Sequence, residues 1–201
     1  MQQTRKNIRL VGYDYSQNGF YFVTICTQNR ENLFGDVVDG KMILNEFGMI
    51  VDTKINELKK YNNVDIDIYR VMPNHVHLIL IIVGAGPRAC PDNPRVRPIY
   101  DGNILSGSTQ GSHIGSTQGS TPTKLTPTVG EYVKRLKTLT TRIYIENVKY
   151  NNWPSFDKRL WQRNYYERII RNEEEYLKIK KYIKSTPIMW ERDRNNPKNI
   201  L

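Results

Sequence analysis

The chain has few of the residues that most often build metal and redox centres. Among 201 residues there are two cysteines, Cys26 and Cys90, far apart and without ligand-like spacing. Cys26 falls in a strand pattern and reads as a small core residue, and Cys90 falls in a loop. There are three histidines, His75, His77 and His113. No apolar run approaches the ~18 residues that span a bilayer. The opening Met-Gln-Gln-Thr-Arg-Lys has no apolar stretch of the signal-peptide kind. Neither a lipidation motif nor a long basic amphipathic helix is present. A cytoplasmic protein with no membrane partner is the expectation.

The sequence is 38% hydrophobic and includes 13 tyrosines, which suits a folded core rather than disorder. The formal net charge is +10, and it is unevenly placed. Residues 1–123 are nearly balanced at +1, whereas residues 124–201 carry 18 Lys+Arg against 9 Asp+Glu. A positive field concentrated in the C-terminal portion points to a polyanionic partner.

Two of the scarce histidines occur together in Pro73-Asn74-His75-Val76-His77-Leu78-Ile79-Leu80. The run from His75 to Ile82 is otherwise apolar and reads as a buried strand entered from a Pro-Asn turn. Side chains alternate along a strand, so His75 and His77 share one face while Val76 and Leu78 pack the other. Two neutral imidazoles on one face can ligate one divalent ion. They can equally line a polar sheet surface, and a third ligand is needed for a tight site.

The remaining pattern is α+β. Phe20 to Thr27 is rich in β-branched and aromatic residues and reads as a strand. Asp39-Gly40 between two short apolar runs predicts a hairpin. Asn45 can cap a helix whose apolar stripe is Phe47, Ile50, Val51, Ile55 and Leu58. Val64, Ile66 and Ile68 alternate with Asp65, Asp67 and Tyr69, a half-exposed strand beside the histidine strand. Residues 84–127 are rich in Gly, Ser, Thr and Pro and contain Gly-Ser-Thr-Gln-Gly-Ser twice, which reads as a flexible insertion holding His113 in solvent. Thr128 with Glu131 opens a second helix whose stripe runs from Val129 to Tyr144. Residues 160–170 read as a strand or an irregular aromatic segment. Asn172 with Glu175 caps a last helix to about Ser185, and residues 188–201 form a tail. Apart from the insertion, one domain spans 1–201. Two helices backing an antiparallel sheet make a ferredoxin-like sandwich with the histidine strand in its middle.

The last helix carries Lys178, Tyr182 and Thr186 at i, i+4 and i+8, one face of the helix. A phenol becomes a useful nucleophile when a nearby cation or metal favours its ionised form. Tyr182 beside a metal on His75 and His77 therefore suits in-line attack on a phosphodiester, storing the bond energy as phosphotyrosine with no nucleotide cofactor. Lys178 and Lys181 flank the tyrosine. Lys134 and Lys137 lie on the polar face of the second helix, and Trp161 and Tyr165 stand among Arg163 and Arg168. These are the candidate nucleic-acid contacts, with stacking aromatics beside phosphate-binding cations. The aromatics serve as well to pack the last helix onto the sheet.

His75-Val76-His77 after Pro73-Asn74 resembles the His-hydrophobic-His motif of single-strand DNA nickases. With Asn18-Gly-Phe-Tyr-Phe-Val-Thr-Ile-Cys-Thr-Gln-Asn-Arg30, Leu33-Phe34-Gly35, Leu160-Trp-Gln-Arg-Asn-Tyr-Tyr-Glu167 and Tyr182-Ile-Lys-Ser-Thr-Pro187, the chain resembles the REP-associated tyrosine transposases. The resemblance covers most of the chain outside the insertion and the tail. It implies an RRM-like core that binds single-stranded DNA near a hairpin and cleaves it through Tyr182, keeping the 5′-phosphate and freeing a 3′-OH. It implies Mg²⁺ or Mn²⁺ on His75 and His77, with the third ligand falling on Thr186. Relatives usually carry Asn or Gln there, whose carbonyl oxygen suits a hard cation better than a hydroxyl does. Oligomeric state is open between monomer and homodimer. Two other readings compete: a hairpin DNA- or RNA-binding module whose catalytic geometry has lapsed, and a replication-initiator or relaxase nickase. The latter usually carries additional domains.

Overall fold

The computed structural model describes residues 17–61, 63–83 and 127–199. The N-terminal arm, His113, Cys90 and nearly all of the 84–127 insertion lie outside the described residues. Six strands and three α-helices follow the expected order. These are β1 (Gly19–Cys26), β2 (Gly35–Val38), β3 (Lys41–Leu44), α1 (Glu46–Leu58), β4 (Val64–Met72), β5 (His75–Ile82), α2 (Val129–Tyr150), β6 (Tyr166–Ile170) and α3 (Glu173–Ser185). Strands β4-β5-β1-β6 form one antiparallel sheet, in that spatial order, with the histidine strand in an inner position.

Local chemistry explains most boundaries. Asp39 and Gly40 both adopt positive φ, 50° and 69°, as a two-residue turn between β2 and β3 requires. Asn45 accepts from the Gly48 N–H at 2.9 Å and Asn172 from the Glu175 N–H at 2.9 Å, so each fills an orphan donor at a helix start. At α2 the Glu131 carboxylate accepts from the Thr128 N–H at 2.7 Å. Gly35 sits at φ 124°, and a Cβ there would lie 2.0 Å from the Ile43 carbonyl oxygen, so only glycine lets β2 and β3 approach.

The sheet buries apolar side chains on both faces. Tyr21, Val23, Ile25, Val76, Leu78, Leu80 and Ile82 meet α1 and α2 through Phe47, Val51, Ile55, Val133, Leu136 and Tyr144. Phe20, Phe22, Ile79, Ile81 and Ile170 meet α3, chiefly through Ile183. The alternation expected along β4 breaks at Asp67. A bulge between Ile66 and Ile68 sends Ile68 to the α3 side, away from Val64 and Ile66, and turns Tyr69 toward α1, where its hydroxyl donates to Asp52 at 2.9 Å. Asp67 then faces α3, accepting from Tyr176 at 2.8 Å and pairing with Lys180 at 3.0 Å.

One open reading is settled and one changes. Residues 160–165 are irregular, and the strand begins only at Tyr166, although Trp161 bridges to Thr27. The segment after Pro187 is no tail: it folds back through short 3₁₀ turns at Trp190–Arg192 and Pro197–Asn199 and buries Trp190, Asp193, Asn195 and Asn196.

Trp161 is only 5% exposed, packs against Phe34 and donates its Nε1–H to Thr140 Oγ1 at 3.0 Å. It has no free face for a base, and the expectation of Trp161 as a stacking platform is not met. Trp161→Ala should cost about 3–5 kcal/mol in urea unfolding, the range for emptying a buried aromatic site. A cost under about 1 kcal/mol would contradict this placement.

Candidate metal and tyrosine site

On the α3 side of the sheet, near the Pro73-Asn74 turn, the fold brings five polar side chains together. His75 and His77 are buried, and cross-strand pairing sets His77 opposite Thr24 and His75 opposite Cys26. The two Nε2 atoms lie 3.0 Å apart. Tyr182 Oη, reaching down from α3, is 3.2 Å from His77 Nε2. Asp193 Oδ2 is 3.7 Å from His75 Nε2.

The hydrogen bonds fix one tautomer. Asn74 Nδ2 donates to the carbonyl oxygens of Arg30 at 2.9 Å and Asn195 at 2.8 Å. Both partners only accept, so the amide orientation is settled and Asn74 Oδ1 faces His75 Nδ1 at 2.9 Å. His75 Nδ1 therefore carries the proton and His75 Nε2 presents a lone pair. His77 Nδ1 is held by Thr24 Oγ1 at 2.8 Å, which leaves its Nε2 on the same space. Outer partners that orient the ring in this way are a habit of metal-binding histidines.

Electrostatics agree. Burial, then the neighbouring His77, Arg194 and Arg30, holds His75 well below the usual histidine range. Burial and Arg194 push His77 down to about 3. Both rings are neutral near pH 7, as ligands must be, so the His75–Asp193 contact is not a salt bridge. The Tyr182 phenol is raised, first by burial and then by the Asp193 carboxylate, although the residue as a whole is 43% exposed. Its hydroxyl lies within hydrogen-bond reach of His77 Nε2.

The donor set fits a divalent cation. His75, His77 and Asp193 each offer one ligand atom, all within 4.8 Å of one another, two neutral nitrogens and one carboxylate oxygen. The separation of the Nε2 atoms equals the spacing of adjacent ligands on a six-coordinate ion, roughly 3 Å for metal–ligand distances of about 2.1 Å. Two lone pairs facing each other so closely repel unless a cation or proton lies between them.

Thr186 does not join this group. Its hydroxyl is turned back on its own helix, 2.9 Å from the Tyr182 carbonyl and 3.1 Å from that of Ile183. Asp193 offers an oxygen where the Thr186 reading needed one. Asp193 is held by the Asn195 N–H on Oδ1 at 2.7 Å and by the Asp193 N–H bond to the Trp190 carbonyl at 3.0 Å, while the Trp190 ring lies 6.0 Å from that of His75. The sequence signal for Asp193 and Asn74 was weak: each is a common turn residue, and only long-range packing brings Asp193 to the histidines.

The expected nucleic-acid contacts divide. Lys137 is committed to the fold: its ammonium donates to the Gln162 and Asn164 carbonyls at 2.8 and 3.2 Å, and burial pushes its pKa down to about 8. Tyr165 is half-buried and donates to Glu167 at 2.9 Å. Lys178 pairs with Glu174 and Arg168 with Glu175. Lys134, Arg163 and Lys181 are exposed. Arg163 lines a cavity of about 820 Å³ with Arg142, Lys149, Lys158 and Arg159, a basic groove between α2 and residues 156–163.

No family model matches the chain. A Haemophilus influenzae protein described as uncharacterized is 36% identical over 191 residues, covering 94% of this chain and 92% of its own length. Among solved structures, a REP-associated tyrosine transposase bound to a REP hairpin aligns over 96% of this chain and 77% of its own at 16% identity, with a TM-score of 0.52. That likeness establishes a shared fold. A Deinococcus radiodurans R1 structure provisionally named a transposase covers 92% of this chain and 96% of its own at 18% identity, with a TM-score of 0.43, too low to bear an argument. Among the described residues no helix is long and apolar enough to cross a membrane.

If Asp193 rather than Thr186 completes the donor set, Asp193→Ala should weaken Mn²⁺ binding, followed by calorimetry, at least tenfold. Thr186→Val should leave it within about twofold. The reverse order would restore Thr186 as the ligand.

Proposed function

This chain belongs to one family with the Haemophilus influenzae protein, and we propose that it is a metal-dependent single-stranded DNA transposase or endonuclease that uses Tyr182 as nucleophile. The observation that carries this reading is the convergence of Tyr182 Oη on two buried, neutral histidines and Asp193. The fold it shares with a REP-associated tyrosine transposase supports the same reading, as does the C-terminal concentration of positive charge.

His75, His77 and Asp193 hold Mg²⁺ or Mn²⁺ in this proposal, with no nucleotide cofactor. The ion supplies Lewis-acid stabilisation of a non-bridging phosphate oxygen and favours the phenolate. The chain's residues do the rest. Tyr182 Oη attacks phosphorus, the P–O3′ bond breaks, the phenol proton passes to solvent and the departing 3′ oxygen takes one up. The 5′-phosphate stays on Tyr182, so a second 3′-OH can reverse the exchange and rejoin the strand. Asn74 and Thr24 orient the histidines, and α3 aims the phenol. The DNA is taken as a single strand beside a hairpin. Arg163 and its basic groove, Lys134, Lys178, Lys181 and Arg168 are the cations available to its phosphates, while Tyr165 offers one partly accessible ring. Homodimer and monomer are both compatible with this reading.

The direct test is a denaturing gel of labelled hairpin DNA from repeats flanking the gene. Wild-type protein with Mn²⁺ should give a covalent protein–DNA band that disappears with EDTA and falls at least 100-fold in His75→Ala. Salt-sensitive binding with no band under any metal would overturn the enzyme reading and leave a binding module.

A further inference from the structure

Two arginines stand at the rim of this pocket and take no part in the chemistry above. Arg194 follows Asp193 directly, and its guanidinium lies 5.8 Å from the centroid of the Tyr166 ring, which itself packs against Phe22 beside Tyr182. Arg30 Nη1 donates to the Arg194 carbonyl at 2.8 Å, and the Arg30 carbonyl accepts from Asn74, the residue that orients His75. Neither guanidinium has a carboxylate within ion-pair distance among the described residues. Both charges are nonetheless felt inside the pocket, Arg194 at His75, His77 and Tyr182, Arg30 at His75.

The backbone adds a second sign. Asn29 and Arg30 are consecutive non-glycine residues at φ 55° and 56°. Such conformations cost about 1 kcal/mol or more each and persist where surrounding contacts impose them, often at functional sites. Here the Thr27 carbonyl, Asn74 and the Arg194 carbonyl impose it. The strain turns the chain so that Arg30 reaches Arg194 instead of continuing the path of β1.

We propose that Arg30 and Arg194 form a phosphate-binding pair that seats the backbone phosphate of the reacting linkage over His75, His77 and Tyr182. This deepens the transesterase reading and rests on it for the identity of the linkage. A guanidinium presents a planar fork of donors matched to phosphate oxygens, and two forks at one edge of a cation site orient the phosphorus for in-line approach. Tyr166, whose ring centroid is 5.8 Å from the Arg194 guanidinium, gives that cation an aromatic neighbour.

The test measures binding and chemistry separately on the full chain. Binding of a fluorescein-labelled 15-nucleotide oligothymidylate to the Tyr182→Phe protein is followed across a salt series in EDTA. Arg30→Gly and Arg194→Ala should each weaken it several-fold and reduce the slope of log affinity against log salt by about 0.7, one phosphate contact on a single strand. In the otherwise native protein with Mn²⁺ and saturating hairpin DNA, each should also slow adduct formation at least tenfold. Arg30→Gly relieves the positive φ, so its urea midpoint should not fall, which separates lost binding from lost folding. Unchanged slopes in both variants would overturn the pair. Changed slopes with an unchanged rate at saturation would place the pair on a flanking phosphate and overturn its seat over the tyrosine. Changed slopes in a protein that forms no adduct would keep the phosphate pair and sink the transesterase reading.

Discussion

Two imidazole nitrogens held 3.0 Å apart on an inner strand are the constraint on which the site depends. With His75 Nε2 unprotonated, a proton on His77 Nε2 makes this contact an N–H···N hydrogen bond, and a cation in its place would be held by both nitrogens. The inner position of β5 denies the rings any escape toward an edge. Asn74 and Thr24 then fix the far nitrogens, and Asn74 is itself fixed by two carbonyls from different parts of the chain. A cation that reached this donor set would find both nitrogens already placed, with little rearrangement needed.

The same burial sets the electrostatic character of the pocket. Low polarity keeps both histidines neutral and holds the Tyr182 phenol in its protonated form. A site of this kind is quiet until a positive charge enters it, and the Asp193 carboxylate, which raises the phenol, also attracts that charge. In the proposed reaction, binding of metal and activation of Tyr182 are thereby linked through one small group of atoms. The positive charge of the chain is concentrated in residues 124–201, which carry 18 Lys+Arg against 9 Asp+Glu.

What could be read from the sequence was what local chemistry decides. Asp39-Gly40 specifies its turn, Asn45 and Asn172 cap their helices, and His75 and His77 share a face because a strand alternates. What could not be read depends on contacts across the chain. The bulge at Asp67 breaks the alternation in a way that Val64-Asp-Ile-Asp-Ile68 does not announce, and it is settled by Tyr176 and Lys180 more than 100 residues away. Trp161 and Lys137 looked like surface ligands because aromatic and basic residues suit both uses. Thr140 and three loop carbonyls claim them for the fold. Asp193 was hidden in a polar stretch whose composition resembles a tail, and Trp190, Asn195 and Asn196 bury it against the histidine strand.

The central claim is that Tyr182, alone among 13 tyrosines, takes the DNA. The most direct measurement is mass-spectrometric mapping of the protein–DNA adduct after nuclease and protease digestion. The account predicts nucleotide phosphate on the peptide containing Tyr182. Phosphate on Tyr165, Tyr166 or Tyr176 would contradict it, because none of those hydroxyls is bonded to the histidine pair.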